Sequence, residues 1–143
     1  MECEFPSVNS NIDEIKEIFE NTKTIAIIGL SPNEEKASNM VAKYLQNAGF
    51  RIVPVYPKED EILGQKVYRS LKEIPFKVDM IDIFRKPGVI ALVIDEAIER
   101  GDIDCVWTQL GLVNNDAAKK ALKKGMKVVQ NKCTKIEHRN IFS

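Results

Sequence analysis

The stretch Thr24-Ile25-Ala26-Ile27-Ile28-Gly29-Leu30-Ser31 constrains this chain more than any other. An apolar run without alternation fits a strand buried on both faces, as in a parallel sheet covered by helices. It stops at Gly29, opens into the polar loop Ser31-Pro32-Asn33-Glu34-Glu35-Lys36-Ala37 and leads to an amphipathic helix. Strand, glycine and helix N-terminus in that order make a cradle for an anion. The glycine admits close approach, and the free N–H groups at the helix start carry partial positive charge.

The remaining chain repeats the alternation. After a loose lead-in over residues 1–9, Asn11 or Ser10 can cap a helix whose Ile12, Ile15, Ile18 and Phe19 share one face. The first strand is expected over about 24–30. Ser38 is expected to cap the next helix, with Val41 and Leu45 inward and Gly49 as its stop. A second strand reads over 51–56, where Pro54 removes a ladder donor and so calls for a sheet edge or a strand end. Ile62-Leu63-Gly64 and Val67-Tyr68 look like packed loop pieces, and Ser70 caps a short turn through Ile74. A third strand over 78–84 precedes a helix from Pro87 to Gly101, proline suiting the first helical position. A fourth strand over 105–108 precedes a helix capped by Asn114 or Asn115 and closed by Lys123-Lys124-Gly125. A fifth strand over 127–130 and a tail complete the pattern, which indicates right-handed βαβ units and a doubly wound parallel five-stranded α/β sheet with helices on both faces.

A chain of 143 residues, 44% hydrophobic and 29% charged, suits one globular domain. Its 21 basic residues balance 21 acidic ones, against the basic excess of a nucleic-acid or membrane binder. With no long apolar span and no basic-then-apolar leader, the expected location is cytoplasmic. Cys3, Cys105 and Cys133 are odd in number and widely spaced, which disfavours a disulfide framework or a cysteine-only metal site.

Doubly wound sheets bind ligands beyond the carboxyl ends of their strands. Those positions hold Gly29, Leu30 and Ser31, then Pro57 and Lys58, then Arg85 and Lys86, then Gln109, Leu110 and Gly111. Three cations and no acid on one rim suit a ligand with several phosphates. A dinucleotide fingerprint would need a second glycine where Ser31 stands and an acid near the end of the second strand, where the chain has Tyr56-Pro57-Lys58. A lysine there welcomes a phosphate on the ribose, as in coenzyme A (CoA), with NADP the nearest competitor.

These residues carry a family resemblance. The chain resembles the small stand-alone CoA-binding proteins and, more distantly, the CoA-binding domains of the succinyl-CoA synthetase alpha subunit and of ADP-forming acyl-CoA synthetases. The similar pieces are Ile28-Gly29-Leu30-Ser31, Ser38 with Val41-Ala42 and Tyr44-Leu45, Val53-Pro54-Val55-Tyr56-Pro57, Ile62-Leu63-Gly64, Ser70-Leu71 to Ile74-Pro75, Val78-Asp79 to Asp82-Ile83-Phe84-Arg85, Trp107 to Gly111, and Cys133 with Glu137-His138. The resemblance implies a single Rossmann-like CoA-binding domain: lead-in and helix over 1–22, core over 23–138, tail over 139–143. It departs at Lys36-Ala37, where the family commonly has Arg-Pro, and at Tyr56, where it has Asn. A lysine at 36 keeps the charge without a bidentate grip.

Carried over, the resemblance implies that Gly29, Leu30, Ser31, Lys36 and Ser38 hold the pyrophosphate, and that Pro57 and Lys58 meet the ribose phosphate. Phe84 and Arg85 would line the adenine or phosphate pocket, and Gln109 and Gly111 would border the pantetheine arm. Cys133 and His138 are the one pair resembling a nucleophile with its base or two metal ligands, without a third ligand or orienting acid beyond Glu137, and their segment also reads as a small helical lock closing the C-terminus. No catalytic or metal residue is therefore assigned. The expected function is binding of CoA or an acyl-CoA as a non-catalytic or regulatory module. The alternatives are an NADP-binding oxidoreductase or redox sensor, a scaffold that has lost its ligand, and the CoA-binding subunit of a synthetase completed by a partner.

Overall fold

The computed structural model describes residues 5–143; Cys3 and the start of the lead-in lie outside them. The main sheet is built from β1 (Thr24–Ile28), β2 (Arg51–Val55), β5 (Met80–Ile83), β6 (Cys105–Thr108) and β7 (Lys127–Val129), all parallel, in the order β2-β1-β5-β6-β7. Helix α1 (Ile12–Asn21), α2 (Ala37–Asn47) and α5 (Thr134–Phe142) cover one face; α3 (Pro87–Arg100) and α4 (Asn115–Lys123) cover the other. Alternate residues of β1 supply each layer: Ile25 and Ile27 pack under α1 and α2, Ala26 and Ile28 under α3. The uninterrupted apolar run is thus the requirement of a strand with no solvent face.

Local chemistry explains most boundaries. Asn11 and Glu14 form a reciprocal capping box on α1, and Asn114 caps α4. Gly101, at φ 78°, ends α3 in the left-handed region. Pro54 sits in β2 at the sheet edge. Its carbonyl faces outward to the N–H of Tyr68, so its missing N–H also faces outward, where the Tyr68 segment makes a single parallel bridge with Val55 and no full strand needs the donor.

Four expectations change. The described end of the lead-in is not loose, because Asn9 exchanges bonds with the Gln130 backbone and, next to it, the Ser10 hydroxyl donates to the Val128 carbonyl. The loop pieces around Leu63 pair as a small hairpin, β3 (Glu61–Ile62) with β4 (Gln65–Lys66), turning through Leu63 and Gly64 at φ 52° and 74°. Ser38 does not cap α2: Lys36 occupies the cap position and Ser38 is the second helical residue. The helical lock read around Cys133 and His138 is present as α5, but it is longer than expected and runs to Phe142 through the residues expected as a tail.

Candidate functional site

The chain leaves β1 toward the α2 face and leaves neighbouring β5 toward the α3 face. Connections that diverge from adjacent strands open a crevice at their carboxyl ends. Gly29 lies at its base, with its N–H donating to Val55 O at 2.9 Å and its φ at 90°. A Cβ there would lie 2.8 Å from Arg85 Cδ and 3.3 Å from Phe84 O. Glycine is therefore required both by the backbone and by the Arg85 stem that crosses over it.

The loop from Ser31 to Ser38 holds itself. Ser31 N–H donates to Ser38 Oγ at 3.0 Å, Asn39 Nδ2 donates to Ser31 O at 2.9 Å, and Asn33 N–H donates to Ser31 Oγ at 3.1 Å. This is why Ser38 is not the cap: its buried hydroxyl is spent on the loop's amide. The start of α2 is left open. Among the described residues, no acceptor meets the N–H of Ala37 or Ser38, and none meets the N–H of Gly88 behind Lys86 and Pro87 at the start of α3. The exposed cations Lys36, Lys58, Arg85 and Lys86 make no ion pair among the described residues. Two uncapped helix starts and the cations Lys36, Lys58, Arg85 and Lys86 lie in the connections that follow β1, β2 and β5 at the carboxyl edge, alongside the exposed acids Glu34, Glu35, Glu59 and Asp60.

Other expected residues sit differently. Leu30 is fully buried, so only its backbone reaches the crevice. Phe84 is half-buried, while Pro57 and Gly111 are exposed, Gly111 donating its N–H to Asn131 Oδ1 at 2.7 Å. Gln109 is buried, and its Nε2 donates to Asp82 Oδ1 at 2.5 Å and to Thr134 Oγ1 at 3.1 Å. Thr134, the first residue of α5, donates to Asp82 Oδ2 at 2.8 Å. With no cation beside it, burial pushes the Asp82 carboxyl up to about 7 against these bonds. The cluster staples β5, β6 and α5 together beneath the crevice.

Sequence reading missed Asn39, Arg69, Asp82 as a polar anchor, and Thr134. Only Asp82 left a signal, an acid inside an apolar strand. Arg69 lines a recess of about 120 Å³ beside β1, β2 and α3, floored by Ile28, Val55, Leu71 and Val93 and shared with Arg85. A larger hollow of about 280 Å³ lies at the opposite, amino edge. Its rim carries Glu14, Glu17 and Asp104 against Lys127, the wrong sign for a phosphate.

Among the described residues no hydrogen bond joins Cys133 to His138. Cys133 is the half-buried residue before α5. His138 Nδ1 bonds Tyr44 Oη at 2.9 Å, its ring packs against Phe19, Tyr44, Phe50 and Phe142, and burial pushes its pKa down. No cluster of three or more His, Cys, Asp or Glu fit for a metal occurs among the described residues, nor any helix long and apolar enough to cross a membrane.

Comparison with known proteins matches the fold and gives the family. The hypothetical protein from Pyrococcus horikoshii OT3, a solved structure, superposes with a TM-score of 0.90 at 37% identity over 100% of both chains. Uncharacterized protein YneT of Bacillus subtilis is 41% identical over 130 residues, 91% of this chain and 96% of its own. The ADP-forming acetate–CoA ligase of Methanocaldococcus jannaschii is 34% identical over 79 residues; the match takes in 55% of this chain and only 11% of that ligase. The family model described as "CoA binding domain" matches residues 23–139, and the chain belongs to that CoA-binding family.

Proposed function

We propose that this protein binds coenzyme A, free or acylated, in the crevice at the carboxyl edge, as a binding or regulatory module and not as a stand-alone enzyme. The observation that carries the reading is that the connections after β1, β2 and β5 offer two uncapped helix starts together with the exposed, unpaired Lys36, Lys58, Arg85 and Lys86 at the carboxyl edge. CoA carries a pyrophosphate and a phosphate on its ribose, and this surface offers cations and amide donors for both. Gly29, Ser31, Lys36 and the start of α2 at Ser38 take the pyrophosphate, with Leu30 contributing backbone alone. Lys58, after Pro57, meets the ribose phosphate, and Arg85 with Phe84 closes over the adenosine. Gly111 borders the pantetheine arm, and Gln109 contributes by fixing the strand end beneath it. The ligase relative makes a subunit role in a larger synthetase the nearest elaboration of this reading.

The test is thermal unfolding with CoA, acetyl-CoA, dephospho-CoA, NAD and NADP in parallel. A ligand at about 100 times its Kd adds about 2.7 kcal/mol to the folded state, several degrees for a chain of this length. The expected result is a rise with CoA that shrinks with dephospho-CoA. A rise with NADP alone would replace the reading with a redox one, and no rise with any of them would leave a scaffold without this ligand.

A further inference from the structure

We infer that Arg69 is the positioning residue for the ribose phosphate: it fixes the turn that carries Lys58 and thereby sets selectivity for CoA over dephospho-CoA, an inference that rests on the CoA reading. Arg69 Nη1 donates to three carbonyl oxygens of that turn, Tyr56 O at 3.1 Å, Lys58 O at 2.8 Å and Glu59 O at 2.8 Å. Three carbonyls aimed at one nitrogen are a turn folded around a cation. Glu59 stands at φ 66°, a left-handed conformation that a glutamate does not favour, so the turn needs an outside tie.

The tie is itself anchored. Tyr68, the preceding residue, donates its N–H to Pro54 O at 2.9 Å and accepts from Tyr56 N–H at 3.0 Å, so the base of Arg69 is fixed to the end of β2. The other terminal nitrogen reaches only a distant carboxylate, Asp60 Oδ1 at 4.0 Å. Two consequences follow for an incoming phosphate. The carbonyl oxygens of the turn, which would repel it, are drawn onto Arg69, and the Lys58 backbone is held still while its exposed ammonium makes no ion pair among the described residues. Ordering the backbone in advance leaves less entropy to lose when Lys58 closes on its target.

The experiment is isothermal titration of the wild type, Arg69→Gln, Lys58→Ala and the double variant with CoA and with dephospho-CoA. One charge-assisted phosphate contact predicts that the wild type favours CoA by about tenfold. Arg69→Gln is expected to cut that ratio to about threefold or less with dephospho-CoA affinity nearly unchanged, and to leave the ratio of Lys58→Ala where it was. Arg69→Lys, which keeps a cation with three donors, restores part of the preference. An unaltered ratio in Arg69→Gln, or an equal loss for both ligands, overturns the inference while the CoA reading stands. A wild type that binds both ligands equally overturns it through Lys58, and a wild type that binds neither overturns the CoA reading itself.

Discussion

Asp82→Asn tests the energetics of the staple beneath the site. Asp82 is wholly buried in the central strand β5, and burial lifts its pKa from 3.8 to about 7 although Gln109 and Thr134 donate to the ionised form. A folded-state value above the unfolded one means that the folded protein keeps the proton longer. Its contribution to stability is fully present below the unfolded value and is lost as pH rises through about 7. At about 1.4 kcal/mol for each tenfold change in proton affinity, the gap amounts to about 4 kcal/mol. Asparagine keeps an acceptor for Gln109, offers an N–H to Thr134 Oγ1 and never ionises. Urea unfolding of both proteins from about pH 4.5, already above the unfolded value, to about pH 8.5 should show the variant gaining on the wild type by about 3 kcal/mol of that gap, levelling off above about pH 7. Two other groups push stability the opposite way as pH falls. His138 is held low by burial; at Asp102 burial alone would raise the value, but bonds from Arg100 and the Val78 N–H outweigh it and hold it low. Both are present in the two proteins, so they cancel in the difference. A difference independent of pH, or one that moves toward the wild type as pH rises, refutes the reasoning.

Gly29→Ala should lower stability by about 2 kcal/mol, several degrees in Tm by calorimetry, since φ is 90° and the new Cβ meets Arg85 Cδ at 2.8 Å. An unchanged Tm would mean that the turn and the Arg85 stem adjust freely. Arg100→Ala should cost about 3 kcal/mol, because its guanidinium donates to Leu71 O, Ile74 O and Phe76 O at 2.7, 2.8 and 2.8 Å and pairs with Asp102. Urea unfolding reads this, and wild-type stability would show that water replaces those bonds without loss.

The sheet and most helices were legible because their signals are local. A doubly apolar run marks β1, asparagine caps mark α1 and α4, and Pro87 with Gly101 brackets α3. The parts that were hidden depend on distant partners. Ser38 carries every mark of a cap, yet its hydroxyl answers the orphan amide of Ser31 in the preceding loop. Gln109 stands at a strand end, where ligand contacts gather, but its amide is committed to Asp82 and Thr134. The β3–β4 hairpin turns on Leu63 in a left-handed conformation, which no turn propensity favours. Arg69 is one arginine among exposed charges until the turn it gathers is seen in space.

Pro54 has a further consequence at the flank of the sheet. An outermost strand ordinarily offers a ladder of donors and acceptors on which another extended chain can grow. Here the outward donor is missing at Pro54, and its outward carbonyl is already claimed by Tyr68. On the far flank Ser10 and Asn9 claim the outward carbonyls of Val128 and Gln130. Both borders of the five-stranded sheet are thus blunted where an arriving strand would take its register, which works against growth of the sheet through its edges.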